Sequence, residues 1–146
     1  EIQACDWSSD VCSSDLPAIA APAARVALTR RADGAVELHA QPPQGARTLA
    51  LQIRADAAVT DVTVNGRPAG LLTAPGRWSK LRWSGDPSGV TIAFRPGGAG
   101  AVEVRHAAVN DGWPQDAAPL PPRPEDVAAF DLSDSTIVTG TSRLRW

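Results

Sequence analysis

From Arg25 onward, apolar and polar positions alternate with a period of two. Val26 and Leu28 alternate with Ala27 and Thr29, and Val36, Leu38 and Ala40 alternate with Glu37 and His39. A strand sends successive side chains to opposite faces, so each run predicts one half-buried strand. Between them stands Asp33-Gly34, a pair that tolerates positive φ, which predicts a hairpin. Leu49, Leu51 and Ile53 form the next apolar face, with Gln52 and Arg54 outward. Thr60, Val62 and Val64 follow with Asp61 and Thr63 opposite. Then come Trp78, Leu81 and Trp83; Val90, Ile92 and Phe94; and Val102, Val104, His106 and Ala108. Turn signals separate these runs at Gln41 to Ala46, at Asn65-Gly66, at Asp86-Pro87-Ser88-Gly89 and at Pro96 to Gly100. Short alternating runs so spaced predict an all-β fold, an antiparallel β-sandwich over residues 25–109. No segment carries a long helical period, and no internal repeat aligns.

The tail, residues 110–146, has a different texture and is expected to belong to the same domain. Asn110 to Pro124 is rich in Pro and Asp, and Leu120-Pro121-Pro122-Arg123-Pro124 predicts an extended polyproline-like path. Glu125 to Phe130 predicts one helical turn, with Pro124 at its first position and acids at its start. Ser135 to Val138 and Ser142 to Trp146 predict two short strands around Gly140.

The head differs again. Asp6 to Leu16, DWSSDVCSSDL, resembles a translated sequencing adapter, and one reading frame accounts for every residue from Glu1 to Leu16. The alternative is a Ser/Asp-rich segment with a small Cys5–Cys12 disulfide loop. Residues 1–16 are therefore set aside as a non-native segment, and the Ala/Pro stretch 17–24 is expected to be a linker or lead-in. Both cysteines fall in the segment set aside, so the remainder supports no disulfide or redox inference. The chain contains no Met, and an adapter marks the end of a DNA insert. The natural N-terminus is thus expected upstream.

This division changes the charge. Four of the 16 acids lie in the first sixteen residues, leaving 12 acids against 14 bases, a formal +2 in place of −2 for the whole chain. The excess is small and spread along the sequence, which speaks against a nucleic-acid partner. Thirteen Arg against one Lys, Lys80, with abundant Ala, Gly and Pro, read as the codon bias of a GC-rich genome. No apolar run approaches the roughly 18–20 residues of a membrane span.

Candidate chemistry is sparse. His39 shares the phase of Glu37 and is expected exposed; His106 shares the apolar phase of Val102 and Val104 and is expected partly buried. A metal site needs three or four converging ligands, and two histidines on separate strands do not supply them. No GxSxG elbow is present. Ser133, Ser135 and Ser142 lie near Asp131 and Asp134, an arrangement typical of turns and caps. Glu125 and Asp126 are adjacent, so a helix would point them apart. Gly97-Gly98-Ala99-Gly100 lacks the Lys of a phosphate loop and reads as a hairpin connection. No catalytic, cofactor-binding or metal residue is assigned. Trp78, Trp83, Trp113 and Trp146 are the remaining binding candidates, either as plates for a sugar ring or as packing residues.

Residues 118–127, APLPPRPEDV, and 130–141, FDLSDSTIVTGT, resemble the C-terminal end of bacterial zinc exopeptidases of the aminopeptidase Y and vacuolar membrane protease type. Asn65-Gly66-Arg67-Pro68 and Trp78 are similar in style to the final domain of the membrane-bound members. There, the resemblance implies, a zinc peptidase domain precedes several membrane spans and a β-rich domain outside the cytoplasm. The zinc ligands and catalytic carboxylate would lie upstream, and none maps onto a residue here. The implied role is a non-catalytic C-terminal accessory domain, periplasmic or otherwise extracytoplasmic. Its partners would be the peptidase and membrane-spanning parts of its own chain. The rival expectations are a carbohydrate-binding module using a row of exposed tryptophans, and an adhesin-like structural domain.

Overall fold

The computed structural model describes residues 21–114, 117–119, 122–128 and 135–146. Expectations for residues 1–20, for Leu120-Pro121 and for Phe130, Asp131, Ser133 and Asp134 lie outside the described residues. The architecture is a two-sheet antiparallel sandwich with no helix among the described residues. Its strands are β1 (Arg25–Arg30), β2 (Val36–Gln41), β3 (Ala46–Ala55), β4 (Val59–Val64), β5 (Arg67–Pro68), β6 (Ser79–Trp83), β7 (Val90–Pro96), β8 (Ala101–Asp111) and β9 (Ser135–Arg145). Sheet A runs β1-β2-β7-β4-β5, and sheet B runs β6-β3-β8-β9.

The alternation read along the chain becomes the division between inner and outer faces. In β2, Val36, Leu38 and Ala40 are fully buried; in β7, Val90, Ile92 and Phe94 are. From sheet B, Leu49, Leu51 and Ile53 of β3 and Val102, Val104 and Ala108 of β8 face them. Each buried Val, Leu, Ile or Phe side chain gains about 1.5–3 kcal/mol from leaving water. Register keeps the two sets inward: Leu38 lies opposite Ile92, and Ile53 opposite Val104.

Turn chemistry places the crossings. Gly34 (φ 82°) closes the β1–β2 hairpin, and Asp33 Oδ1 accepts from the amide of Ala35 at 3.1 Å. Asn65 and Gly66 both take positive φ between β4 and β5, as a tight primed turn requires. Asn65 also bonds Thr91 twice: its amide donates to the Thr91 carbonyl, and its Oδ1 accepts from the Thr91 amide, both at 2.8 Å. That extends the β4–β7 ladder past a bulge at Asp61, whose φ is 53°.

Three expectations change. The Gly97–Gly100 segment joins β7 of sheet A to β8 of sheet B, so it is an arch between sheets rather than a hairpin. The predicted pair of short terminal strands is one strand, β9, bonded to β8 along eleven register pairs. Gly140 does not break it, because His106 of β8 covers the space a side chain would need: a Cβ there would lie 2.5 Å from His106 Cε1. Finally, the predicted helical turn is a tight turn closed by the Val127 amide on the Pro124 carbonyl at 3.0 Å.

Gly89 is the tightest point of the fold. It sits at φ 89°, and a Cβ there would meet the Ala40 carbonyl oxygen and lie 2.8 Å from Gln41 Cα. Both obstacles are backbone of a central strand, so neither yields cheaply. Gly89→Ala is expected to lower unfolding stability by about 2–4 kcal/mol, measured by urea titration; a change under about 0.5 kcal/mol would show that the close approach is not binding on the fold.

Candidate functional site

The four candidate tryptophans, all among the described residues, are distributed to four places. Trp83 pairs with Leu49 on the inner side of sheet B, packs against the core, and donates Nε1–H to the Asp86 carbonyl at 3.1 Å. Trp146 plugs one end of the sandwich, edge-on to Phe94 with centroids 5.8 Å apart, and donates to the Gly98 carbonyl at 2.6 Å. Trp113 lies beyond β8 and donates to the Ala118 carbonyl at 2.8 Å. Only Trp78, just before β6, is on the outer face of sheet B. Among the described residues, the row of exposed rings that a stacking carbohydrate module requires is not formed.

The sheet B outer face can be derived from register, because laterally paired residues project to the same side. One row reads Lys80, Gln52, Arg105, Thr141; its neighbour reads Arg82, Ala50, Ala107, Thr139. A third row holds Arg54, Glu103 and Arg143, with Trp78 beside Arg54. The Arg54 and Arg105 guanidiniums lie over the Trp78 ring, 4.8 and 4.5 Å from its centroid. Both also grip Glu103, Arg54 at 2.7 Å and Arg105 at 3.1 Å. The Glu103 side chain is only 16% exposed. Desolvation raises its pKa, but the hydrogen bonds and charges of Arg105 and Arg54 outweigh that and hold the carboxyl below its ordinary range. Four groups thus fix one another through ring face, charge and hydrogen bond.

The histidines are apart, His39 on β2 of sheet A and His106 on β8 of sheet B. His39 is half-buried rather than exposed, its Nδ1 3.1 Å from the Thr91 hydroxyl opposite it. His106 sits between buried Val104 and Ala108, and its Nδ1 is buried without a hydrogen-bond partner. Desolvation lowers its pKa from 6.5. Among the described residues, no three His, Cys, Asp or Glu side chains come together as a metal site. Glu125 and Asp126 are exposed in a turn. Ser135 accepts from Arg47 at 3.3 Å, and Ser142 lies opposite Val104. Asp86, in the β6–β7 arch, is held below its ordinary pKa by hydrogen bonds from the Ser88 hydroxyl and amide. Among the described residues, no helix is long and apolar enough to cross a membrane.

No family model, curated protein or solved structure matches this chain.

Two predictions follow from the geometry. Because the fold favours neutral His106, the unfolded chain takes up the proton first as pH drops. That contribution to stability is complete above pH 6.5 and is lost as pH falls from there through the lowered folded value. His106→Leu should flatten the slope of unfolding stability over that acid window; an unchanged slope would assign it to other groups. Trp78→Ala removes the ring that both guanidiniums share and should cost about 1 kcal/mol. The Glu103 pKa, followed by NMR, should rise in that variant; if it stays put, the ring does not position the arginines.

Proposed function

We propose that this chain is a non-catalytic C-terminal accessory domain of a membrane-bound, zinc-dependent metallopeptidase of the aminopeptidase type, placed outside the cytoplasm. The observation that carries this reading is the path of the tail. The segment bearing the family resemblance ends in β9, which is bonded to β8 from Ser135 to Arg145 and forms an edge of sheet B. Residues 135–145 are therefore built into the sandwich, which supports reading the segment that bears the resemblance as part of the same domain. Such a domain works by contact: packing on the peptidase domain, shaping access to its cleft, or bracing the membrane assembly. Zinc and its ligands belong to the upstream part of the parent in this reading, and no residue of this chain takes their role.

The test is to recover the DNA upstream of codon 17. A zinc exopeptidase domain followed by membrane spans is the expected result. A glycosidase, or further sandwiches in tandem, would replace this reading with the carbohydrate or adhesin one. The purified chain should also release no product from aminoacyl-p-nitroanilides with or without added zinc. Zinc-dependent turnover would show the domain to be catalytic.

A further inference from the structure

Both sheets carry more cations than acids, but the excess is larger on sheet B, a difference invisible along the sequence. Around sheet A, Arg31 pairs with Glu37 at 3.3 Å and Arg95 with Asp33 and Asp61 at 3.5 and 3.7 Å, while Arg25, Arg30 and Arg67 have no ion pair among the described residues. Outward-facing sheet B carries Lys80, Arg82, Arg54, Arg105, Arg143 and Arg145. Its outward acids among the described residues, Glu103 and Asp111, are already engaged, the second by Arg47 at 3.6 Å. Among the described residues, Lys80, Arg82, Arg143 and Arg145 have no ion pair. A shallow cavity of about 330 Å³ is lined by Ala50, Ala107, Gln52, Arg105, Thr139 and Thr141; Lys80 and Arg82 share its two lateral rows, and Arg143 and Arg145 lie further along β9.

We propose that this dish binds an acidic polysaccharide, seating one sugar residue that carries a carboxylate or sulfate. Its volume lies in the range of small-molecule sites. Gln52 offers a donor and an acceptor, and Thr139 and Thr141 offer hydroxyls, the groups that match sugar hydroxyls. None of the three has a side-chain hydrogen bond among the described residues. Arg105 brings a planar donor fork suited to carboxylate or sulfate. Trp78 and Glu103 hold it in place beforehand, which reduces the ordering cost of binding. Sugars further along the polymer then meet Lys80 and Arg82 on one edge strand, and Arg143 and Arg145 on the other.

Competing polyanions fit less well. Single-stranded nucleic acid needs free aromatic plates, but among the described residues the one ring on this face is covered by two guanidiniums. An anionic membrane surface favours inserted large apolar groups, and Ile137, 42% exposed, is the only such side chain on this sheet among the described residues.

The full chain should be titrated calorimetrically at low salt with oligogalacturonate, heparin oligosaccharide, neutral dextran, a short DNA duplex and phosphatidylglycerol vesicles. Binding of oligogalacturonate, of heparin or of both is expected, the pattern telling carboxylate from sulfate, with none of dextran and with DNA and vesicles weaker. The double variant Lys80→Glu/Arg82→Glu should weaken binding at least about tenfold, and Thr141→Val about threefold. Melting curves would accompany each variant, and Lys80→Gln carries the same test if the double variant unfolds. Absence of acidic-sugar binding, equal or tighter binding of DNA or vesicles, or unchanged affinity in folded variants would overturn the proposal.

Discussion

Everything else in this molecule depends on two pairs of central strands, β2–β7 and β3–β8, burying their inner faces against each other. The pairing is doubly constrained. Backbone donors and acceptors must be satisfied in the ladders, and a slip of one residue would turn every apolar side chain out to water. Leu38 opposite Ile92 and Ile53 opposite Val104 therefore set the register of the outer faces as well. Gln52 lies beside Arg105, and Glu103 beside Arg54, because the leucines and valines between them point inward. The polar site is a by-product of core register.

The alternation of Val36, Leu38 and Ala40, and of Val90, Ile92 and Phe94, was legible because period two is a local signal. So were the turns at Asp33-Gly34 and Asn65-Gly66, whose residues match the φ they adopt. What joined to what was less legible. Pro96 to Gly100 has the composition of a hairpin turn, but the strands it connects lie in different sheets, and composition does not encode that choice. Gly140 suggested a break between strands; its lack of a side chain instead makes room for His106, from a strand over thirty residues earlier. The cationic face was illegible for the same reason. Arg54, Lys80, Arg105 and Arg143 are scattered along the chain and become neighbours only through the β6-β3-β8-β9 order.

The tryptophans show how one residue type takes different duties from its surroundings. Trp83 and Trp146 donate to carbonyls while their rings fill the margins of the core. Trp78 has no core to fill, and works as a plate against which two like charges are held close to one acid. Two guanidiniums so near would repel; the ring and Glu103 offset that, and the arrangement leaves a net positive charge directed outward.

The pairing of β3 with β8 across some fifty intervening residues has a consequence for how the chain behaves when it is cut. A break in the β5–β6 connection, between Ala69 and Trp78, would leave β2 and β3 on one piece, and β7 and β8 on the other. Neither piece would hold a complete central pair, so neither would own a core. Each would be half of an interface, and the two would fold only by finding each other, as a split protein does.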